Sequence, residues 1–260
     1  QSTSIGNSNI VGGDMTNGDI SGLNSSAVGA GNTVYGNNSY AFGGSNTVGS
    51  ANITTTNSVN GHDTDTINTV SGAVLGNQAV ALGYQNRVTA DNAYAIGSGN
   101  TLSGQNGVII GKDNTVSAAN SGVIGNNNDS RHTNITVEDT YAIGNNNGTI
   151  NAVRSNVFGN NNDLSSTGAE GAHIVGNDNS VTAQGGQVWG NFSKATAADA
   201  IVIGSNATAD QANSVSLGSN STTQTVTSTA SAVMNGVTKN FAGGTASGTV
   251  SVGSSDVSGG

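Results

Sequence analysis

The chain contains no cysteine and no proline, and only 8% of its 260 residues are charged, against roughly a quarter in ordinary globular domains. Without cysteine, a disulfide framework is excluded. Apolar residues are also scarce, at 33%, and no apolar run approaches the roughly 18 residues that a transmembrane helix needs. No signal peptide is visible, so we expect a soluble segment whose targeting and anchoring parts lie elsewhere.

The charge that is present is mostly negative. Fifteen acidic and six basic residues give a net charge of −9, which argues against nucleic acid or an anionic membrane surface as a partner. The 40 glycines, together with abundant Ser and Asn, would by composition alone be typical of a disordered chain. A fixed repeat excludes that interpretation, because disordered linkers do not place Ile, Leu or Val before Gly at a constant interval.

A 14-residue repeat organises the sequence. Three blocks follow one another without a gap from Ala79 to Asn120: AVALGYQNRVTADN, AYAIGSGNTLSGQN and GVIIGKDNTVSAAN. We number the coil positions from one at Ala79 to 14 at Asn92, so that position five is Gly in all three blocks. A period this short is typical of a solenoid, in which each coil buries its apolar face only when the next coil stacks on it.

Each block predicts two strands of different character. The residues before the Gly are apolar on both sides, with Val80 and Leu82 on one face and Ala81 on the other. A continuous apolar run of this kind indicates a strand buried on both faces. In the second half of the block Val88 alternates with polar neighbours such as Arg87, which indicates a strand with one buried and one solvent-exposed face. The predicted fold is therefore all-β, a solenoid of two-strand coils.

The strand before the Gly, which we call the inner strand, has two apolar faces, but its own coil can bury only one of them. A flattened two-strand coil needs only one face from each strand, so the second apolar face must meet something outside the chain. The same strand of identical chains around a shared axis predicts a closed homo-oligomer, and a trimer suits a narrow axis. The predicted trimer or roll core consists of Val80 and the apolar residues at position four: Leu82, Ile96, Ile110, Ile124, Ile143, Phe158, Val175, Trp189, Ile203 and Leu217.

The repeat divides the chain into three parts. Residues 1–24 form an irregular start, a first coil or cap, and regular blocks run over 25–224. The phase slips over residues 53–78, where we expect a loop around His62 to Thr66. Three further insertions, in RHTNITVED, GTINAVR and SSTGAEG, lengthen the interval by five, one and three residues. Residues 225–260 leave the pattern and predict a separate element at the base of the array or a cap on the last coil.

Asparagine recurs at position eight, three residues after the Gly: Asn86, Asn100, Asn114, Asn128, Asn147, Asn162 and Asn179. Asn tolerates the left-handed backbone that a sharp corner requires, and stacked amides can hydrogen-bond along the array. A ladder of sugar-binding amides is the alternative interpretation.

Two separate motifs resemble one known family. The blocks SVSLGSN, AYAIGSGN and AVALGYQN resemble the head repeats of trimeric autotransporter adhesins, the YadA-like family of Gram-negative bacteria, over roughly residues 25–222. The tail AVMNGVTKNFAGGTASGTVSVGS resembles the Phe-x-Gly insert that precedes the neck in that family. The neck's own Asn-Val-Ala-Ala-Gly type of signature is not found, so neck, coiled-coil stalk and membrane anchor are expected elsewhere.

The resemblance implies more than the periodicity does. It implies a left-handed parallel β-roll, a homotrimer, and a place at the tip of a stalk anchored in the outer membrane, hence at the bacterial cell surface. It also implies adhesion to host extracellular matrix, to cell-surface receptors or to other bacteria, as in virulence and biofilm formation.

The sequence predicts no enzyme, no cofactor and no metal. No nucleophile elbow or catalytic triad pattern is visible. The segment His62-Asp63-Thr64-Asp65 holds three possible metal ligands, but a solvated loop explains it as well. Gly12-Gly13-Asp14 resembles a calcium-binding roll only in part, because the Asp does not recur in every turn.

Candidate ligand contacts are the charged residues on the solvent-exposed face and in the insertions. The insertion at 129–139 is the largest break in the block pattern and holds Arg131, His132 and Glu138. Further candidates are Arg87, Lys112, Arg154 and Lys194. A solvated bulge is the alternative for the insertion.

Other functions remain as alternatives to an adhesin head. A purely structural spacer needs no binding residues at all. An ice-binding or polysaccharide-binding solenoid needs a regular array, but position nine reads Arg87, Thr101, Thr115, Asp129, Gly148, Asp163, Ser180 and Lys194, without a threonine lattice. A polysaccharide-processing enzyme would need clustered acids in one coil, which only the insertions could hold.

Overall fold

The computed structural model describes residues 1–12, 22–49, 77–127 and 134–253. All helix and strand assignments within these ranges are β-strands, and the chain forms two compact units, Gln1–Ile124 and Gly125–Gly260. The predicted loop around His62 lies outside the described residues, as do Gly13, Asp14 and Asn128.

The first unit alternates long and short strands. They are β1 (Thr3–Asn7), β2 (Ile10–Val11), β3 (Ser26–Ala30), β4 (Thr33–Val34), β5 (Tyr40–Gly44), β6 (Thr47–Val48), β7 (Val80–Tyr84), β8 (Arg87–Val88), β9 (Tyr94–Ser98), β10 (Thr101–Leu102), β11 (Val108–Lys112) and β12 (Thr115–Val116), and β13 (Gly122–Asn126) follows them. Each 14-residue block thus supplies one long and one short strand, as the repeat predicts.

Identical coil positions lie side by side in two parallel sheets. The long strands pair in the order β1-β3-β5-β7-β9-β11 and the short strands in the order β2-β4-β6-β8-β10-β12. The register aligns Phe42 with Leu82, Leu82 with Ile96 and Ile96 with Ile110. Because β5 pairs directly with β7, the sheet resumes at Val80 after residues 50–76. The prediction of an all-β solenoid of two-strand coils is confirmed.

The core of this unit lies between the two sheets. Position three points inward from each long strand and position ten from each short strand, because successive side chains of a strand alternate between its faces. The facing pairs are fully buried: Ala81 with Val88, Ala95 with Leu102, and Ile109 with Val116. Each of these coils therefore contributes at least two small or medium apolar side chains to a narrow interior.

Two residues per coil have a left-handed backbone at the corners. In the coil that starts at Ala79 they are Gln85 and Asn92, each with φ 55°. The predicted corner residue Asn86 directly follows Gln85 and is not among the described residues with positive φ. The prediction of a left-handed corner is therefore right, but its placement at position eight is wrong by one residue, because the Asn side chain is used inside the roll.

The second unit repeats this architecture with shorter long strands. Its strands are β14 (Asn134–Ile135), β15 (Tyr141–Ile143), β16 (Asn156–Phe158), β17 (His173–Val175), β18 (Ser180–Val181), β19 (Gln187–Trp189), β20 (Lys194–Ala195), β21 (Ile201–Ile203), β22 (Thr208–Ala209), β23 (Val215–Leu217), β24 (Ser231–Met234), β25 (Val237–Asn240) and β26 (Val250–Val252). The long strands pair in parallel in the order β15-β16-β17-β19-β21-β23-β26.

The insertions leave the register of this sheet intact. Ala142 aligns with Val157 across an interval of 15 residues, and Val157 aligns with Ile174 across an interval of 17. All three are buried. The extra residues lie between strands, so the apolar side chain at position three stays inside the roll.

The tail contributes two elements. The strands β24 and β25 form an antiparallel hairpin whose turn residues Asn235 and Gly236 have φ 51° and 77°, as expected for an Asn-Gly type I′ turn. The chain then returns, and β26 pairs in parallel with β23, aligning Leu217 with Val252. The tail therefore covers the edge of the last coil with one more long strand.

Candidate functional site

The outward face of the long strands is the main candidate surface in each unit. Since position three points inward, positions two, four and six point outward. We call the outward residues at position four the position-four stripe. Its exposed members in the coils range from 38% exposed at Phe42 to 58% at Ile5: Ile5, Phe42, Leu82, Ile96, Ile110 and Ile124 in the first unit, and Ile143, Phe158, Val175, Trp189 and Leu217 in the second.

The prediction that position four belongs to a trimer or roll core has two parts with different outcomes. Within one chain the position-four stripe is not in the roll interior, which positions three and ten fill instead. Val80 and Ile203 are half-buried, and the other predicted core residues are exposed. The roll-core part of the prediction is wrong, because an alternating strand cannot bury both of its faces within a two-sheet coil. The trimer-core part stays a prediction.

In the first unit aromatic rings flank the position-four stripe. Tyr40 and Tyr94 lie at position two and are exposed, and Tyr84 lies at position six. A Cβ atom on Gly44 would come within 3.1 Å of the Tyr84 ring, so the ring covers the backbone of the neighbouring coil. Among the outward positions of the long strands β1 to β11, only Lys112 carries a charge, and its Nζ lies 2.9 Å from Asp113 Oδ2.

In the second unit amides flank the position-four stripe. Position six holds what we call the outer asparagine ladder: Asn126, Asn145, Asn160, Asn177 and Asn191. Each of the first four side chains donates from Nδ2 to Oδ1 of the next, for example Asn160 to Asn177 at 3.0 Å and Asn177 to Asn191 at 3.1 Å. At position two, Asn156 Nδ2 lies 3.2 Å from His173 Nδ1. The outward positions of the long strands β15, β16, β17, β19, β21 and β23 hold no Asp, Glu, Lys or Arg.

A second ladder runs inside each unit at position eight, and we call it the interior asparagine ladder. Asn162 Nδ2 donates to Asn147 Oδ1 at 3.1 Å and to the carbonyl oxygen of Gly176 at 2.8 Å. The first unit repeats the pattern, with Asn46 bonded to Asn32 and Gly83. These amides are buried and already engaged, so the stacking prediction is confirmed, and the alternative of a sugar-binding ladder is wrong for this position.

The predicted ligand-contact residues do not converge on one site. Arg87 is half-buried in β8 of the first unit and Lys194 is exposed in β20 of the second. Arg154 forms an ion pair with Glu170. Glu138 is exposed, and its carbonyl oxygen accepts a hydrogen bond from Thr140 Oγ1 at 3.1 Å. Arg131 and His132 lie outside the described residues, so these contacts stay predictions.

The remaining chemistry of the described residues is sparse. They contain no group of three or more His, Cys, Asp or Glu side chains that could hold a metal ion. They also contain no helix with the length and hydrophobicity needed to cross a membrane. Burial raises the pKa of the Tyr35 hydroxyl.

One residue to which the sequence assigns no role stands out in the structure. Phe192 occupies position seven, a left-handed corner, with φ 56°, and its side chain is 61% exposed. The corresponding corner residues in other coils of this unit are Asn146, Asn161, Asp178, Asn206 and Asn220. Aligning the blocks by position would have revealed an aromatic residue in a polar column.

The comparison with protein families agrees with the repeat architecture. The family model described as YadA head domain repeat (2 copies) matches residues 21–46, 75–100 and 195–221. No curated protein sequence matches the chain. The matched segments contain the long and short strands of successive coils in both units. This solenoid therefore contains YadA head domain repeats within the three matched segments.

Proposed function

We propose that the chain acts as the head of a trimeric autotransporter adhesin, displayed at the bacterial cell surface through an outer-membrane anchor. The single observation that carries this proposal is the position-four stripe, an exposed apolar face that nearly lacks charge in each unit. The YadA head family consists of bacterial surface adhesins, which supports both the cell-surface location and the adhesive role.

The physical reason for a trimer is the cost of leaving the stripe in water. Exposed apolar patches beyond a few hundred Å² are rare on soluble monomers and mark interaction surfaces. Burial contributes about 25 cal/mol per Å² of apolar surface. An identical chain offers the same column of apolar side chains, one in each coil, so a closed ring of copies covers every stripe at once.

Adhesion then falls to the surfaces that remain outside the trimer. The partners we propose are host extracellular matrix proteins, cell-surface receptors or other bacterial surfaces. Arg131, His132 and Glu138 in the 129–139 insertion remain the proposed protein-contact segment, together with the exposed Lys194. Three copies of each contact would act together, so avidity compensates for weak individual contacts.

Sedimentation of the purified chain tests the trimer. We expect the mass of three chains at micromolar concentration. Replacing Ile96 by Glu should release monomers, because three carboxylates would meet in an apolar contact. Thr101→Glu is the matched control, since it adds the same charge to the short strand of the same coil and should leave the trimer intact. A wild-type chain that sediments as a monomer contradicts the proposal.

Adherence measurements test the insertion separately. Deletion of Arg131 to Glu138 should reduce attachment to immobilised collagen, fibronectin, laminin or bacterial cells, while sedimentation still gives a trimer. Unchanged attachment of the deletion variant would exclude the insertion as the contact segment. Loss of the trimer in the variant would instead assign the segment to assembly.

A further inference from the structure

Phe192 is held in a backbone conformation that its side chain does not favour. Its φ of 56° lies in the left-handed region, which is unfavourable for a non-glycine residue and rare for bulky side chains. The ring is 61% exposed, so its burial within the chain does not offset this cost. Strained residues of this kind concentrate at functional sites, where the position serves recognition more than stability.

The neighbours of Phe192 are polar groups at regular spacing. The Phe192 backbone N–H donates to the Asn177 carbonyl oxygen at 3.0 Å, and the Asn206 N–H donates to the Asn191 carbonyl oxygen at 2.9 Å. These bonds place Asp178, Phe192 and Asn206 in one column, one coil apart, at the spacing of about 4.8 Å between neighbouring strands. A carboxylate, an aromatic ring and an amide therefore belong to three successive coils along one corner of the roll.

The polar groups around the ring retain hydrogen-bonding capacity. Among the described residues, the Asp178 carboxylate has no hydrogen bond or ion pair. The outer asparagine ladder ends at Asn191, whose Oδ1 accepts from Asn177 at 3.1 Å. The Asn191 Nδ2 group has no acceptor among the described residues, because position six of the next coil is Ser205. Both N–H donors of this amide, on the residue that precedes Phe192, are thus available to a ligand.

We propose that this corner, formed by Phe192 with Asp178, Asn191 and Asn206, binds a pyranose sugar at the end of a surface glycan. The inference rests on the adhesive role proposed above and names a ligand class for it. The apolar C–H face of a pyranose packs on an exposed aromatic ring, while its hydroxyl groups both donate and accept hydrogen bonds. A carboxylate accepts from hydroxyl groups and an amide both donates and accepts, so these groups match the sugar edge. A few fixed polar groups around an apolar surface set the orientation of such a ligand.

A galactoside is the natural first probe. The axial hydroxyl at C4 leaves one face of galactose with a continuous patch of C–H groups, which suits an aromatic ring. The chain contains a single tryptophan, Trp189, three residues before Phe192 in the same coil. Its fluorescence reports on this coil, and saturation-transfer NMR on the sugar protons gives a second readout that does not depend on Trp189.

The experiment titrates lactose, with methyl α-mannoside for comparison, into the full chain. We expect saturable binding of lactose with a dissociation constant on the order of millimolar, as for a small ligand with few contacts. Phe192→Asn should weaken binding by roughly tenfold, about 1.4 kcal/mol, whereas Phe192→Tyr keeps the ring and retains binding. Asn220→Gly, at the same coil position two coils later, is the matched control and should bind as the wild type does.

Several outcomes would overturn the inference. Absence of saturable binding of both sugars excludes the site, and equal affinity of Phe192→Asn and the wild type excludes the ring. Sedimentation of the same samples separates this result from the adhesin proposal, because a trimer without sugar binding refutes only the sugar site. If Phe192→Asn dissociates the trimer, the ring contacts a second copy of the chain and the sugar assignment is wrong.

Discussion

Asn162 and Gly176 are joined by a hydrogen bond that crosses from one coil to the next. The Asn162 Nδ2 group donates to the Gly176 carbonyl oxygen at 2.8 Å, and the same nitrogen donates to Asn147 Oδ1 at 3.1 Å. One buried amide therefore connects three consecutive coils. The bond satisfies a carbonyl at the end of a long strand, where the chain turns and the regular sheet ladder ends.

Replacing Asn162 by Ala should destabilise the second unit by about 2 kcal/mol, because the substitution leaves buried polar groups without partners. The urea midpoint, followed by Trp189 fluorescence, measures the loss. Asn160→Ala is the control, since Asn160 belongs to the half-exposed outer asparagine ladder, where water can replace the lost bonds. Equal losses in the two variants would contradict the role assigned to the interior asparagine ladder.

Gly83→Ala should destabilise the first unit by about 3 kcal/mol or more. Gly83 has φ 123°, and a Cβ atom there would overlap the carbonyl oxygen of Gly97 in the next coil. Gly31→Ala separates the two causes, because Gly31 has φ 67° but its Cβ would lie 3.7 Å from the nearest atom, Ser45 Oγ. The control should lose only about 1 kcal/mol in chemical denaturation followed by circular dichroism.

Ser216→Ala should stabilise the second unit by about 1 kcal/mol. Ser216 occupies the inward position three, between Val202 and Ser251 in the register, and its Oγ is buried without a hydrogen-bond partner among the described residues. Removing such a group relieves a desolvation cost. Ser214→Ala should have the opposite sign, because Ser214 Oγ donates to Ala212 and accepts from Thr249. A lower urea midpoint for Ser216→Ala would show that the hydroxyl is satisfied.

Phe192→Asn should raise the stability of the second unit by about 1 kcal/mol, since Asn is the residue that tolerates a left-handed corner best after Gly. Thermal unfolding of the wild type and the variant provides the measurement. Stabilisation combined with loss of sugar binding would identify a residue retained for recognition at a cost to folding. A decrease in stability would instead mean that the ring packs favourably.

Much of this fold could be predicted from the sequence because one short period governs it. The Gly at position five, the apolar residues before it and the polar alternation after it determine two strands per coil, and both appear at the expected places. The excess apolar face of Leu82 and Ile96 also follows from alternation, since Ala81 and Ala95 already fill the interior.

Other features could not be predicted, for physical reasons. Asn is common both at left-handed corners and in stacked amide ladders. The sequence alone therefore could not show that the corner lies at Gln85 and that the amide of the ladder belongs to Asn86. The return of the tail at Val250 depends on pairing with β23, a contact across more than 30 residues that no local pattern specifies. Phe192 was missed because an isolated aromatic residue in a repeat is usually attributed to packing.

The 14-residue register has a consequence for how such a protein can change length. Neighbouring coils in the described part of the first unit contact one another through the same sheet pairing and the same amide bonds. A duplicated or deleted block would therefore find matching neighbours at both junctions. Gene duplication in whole blocks could add or remove coils without redesigning any interior contact.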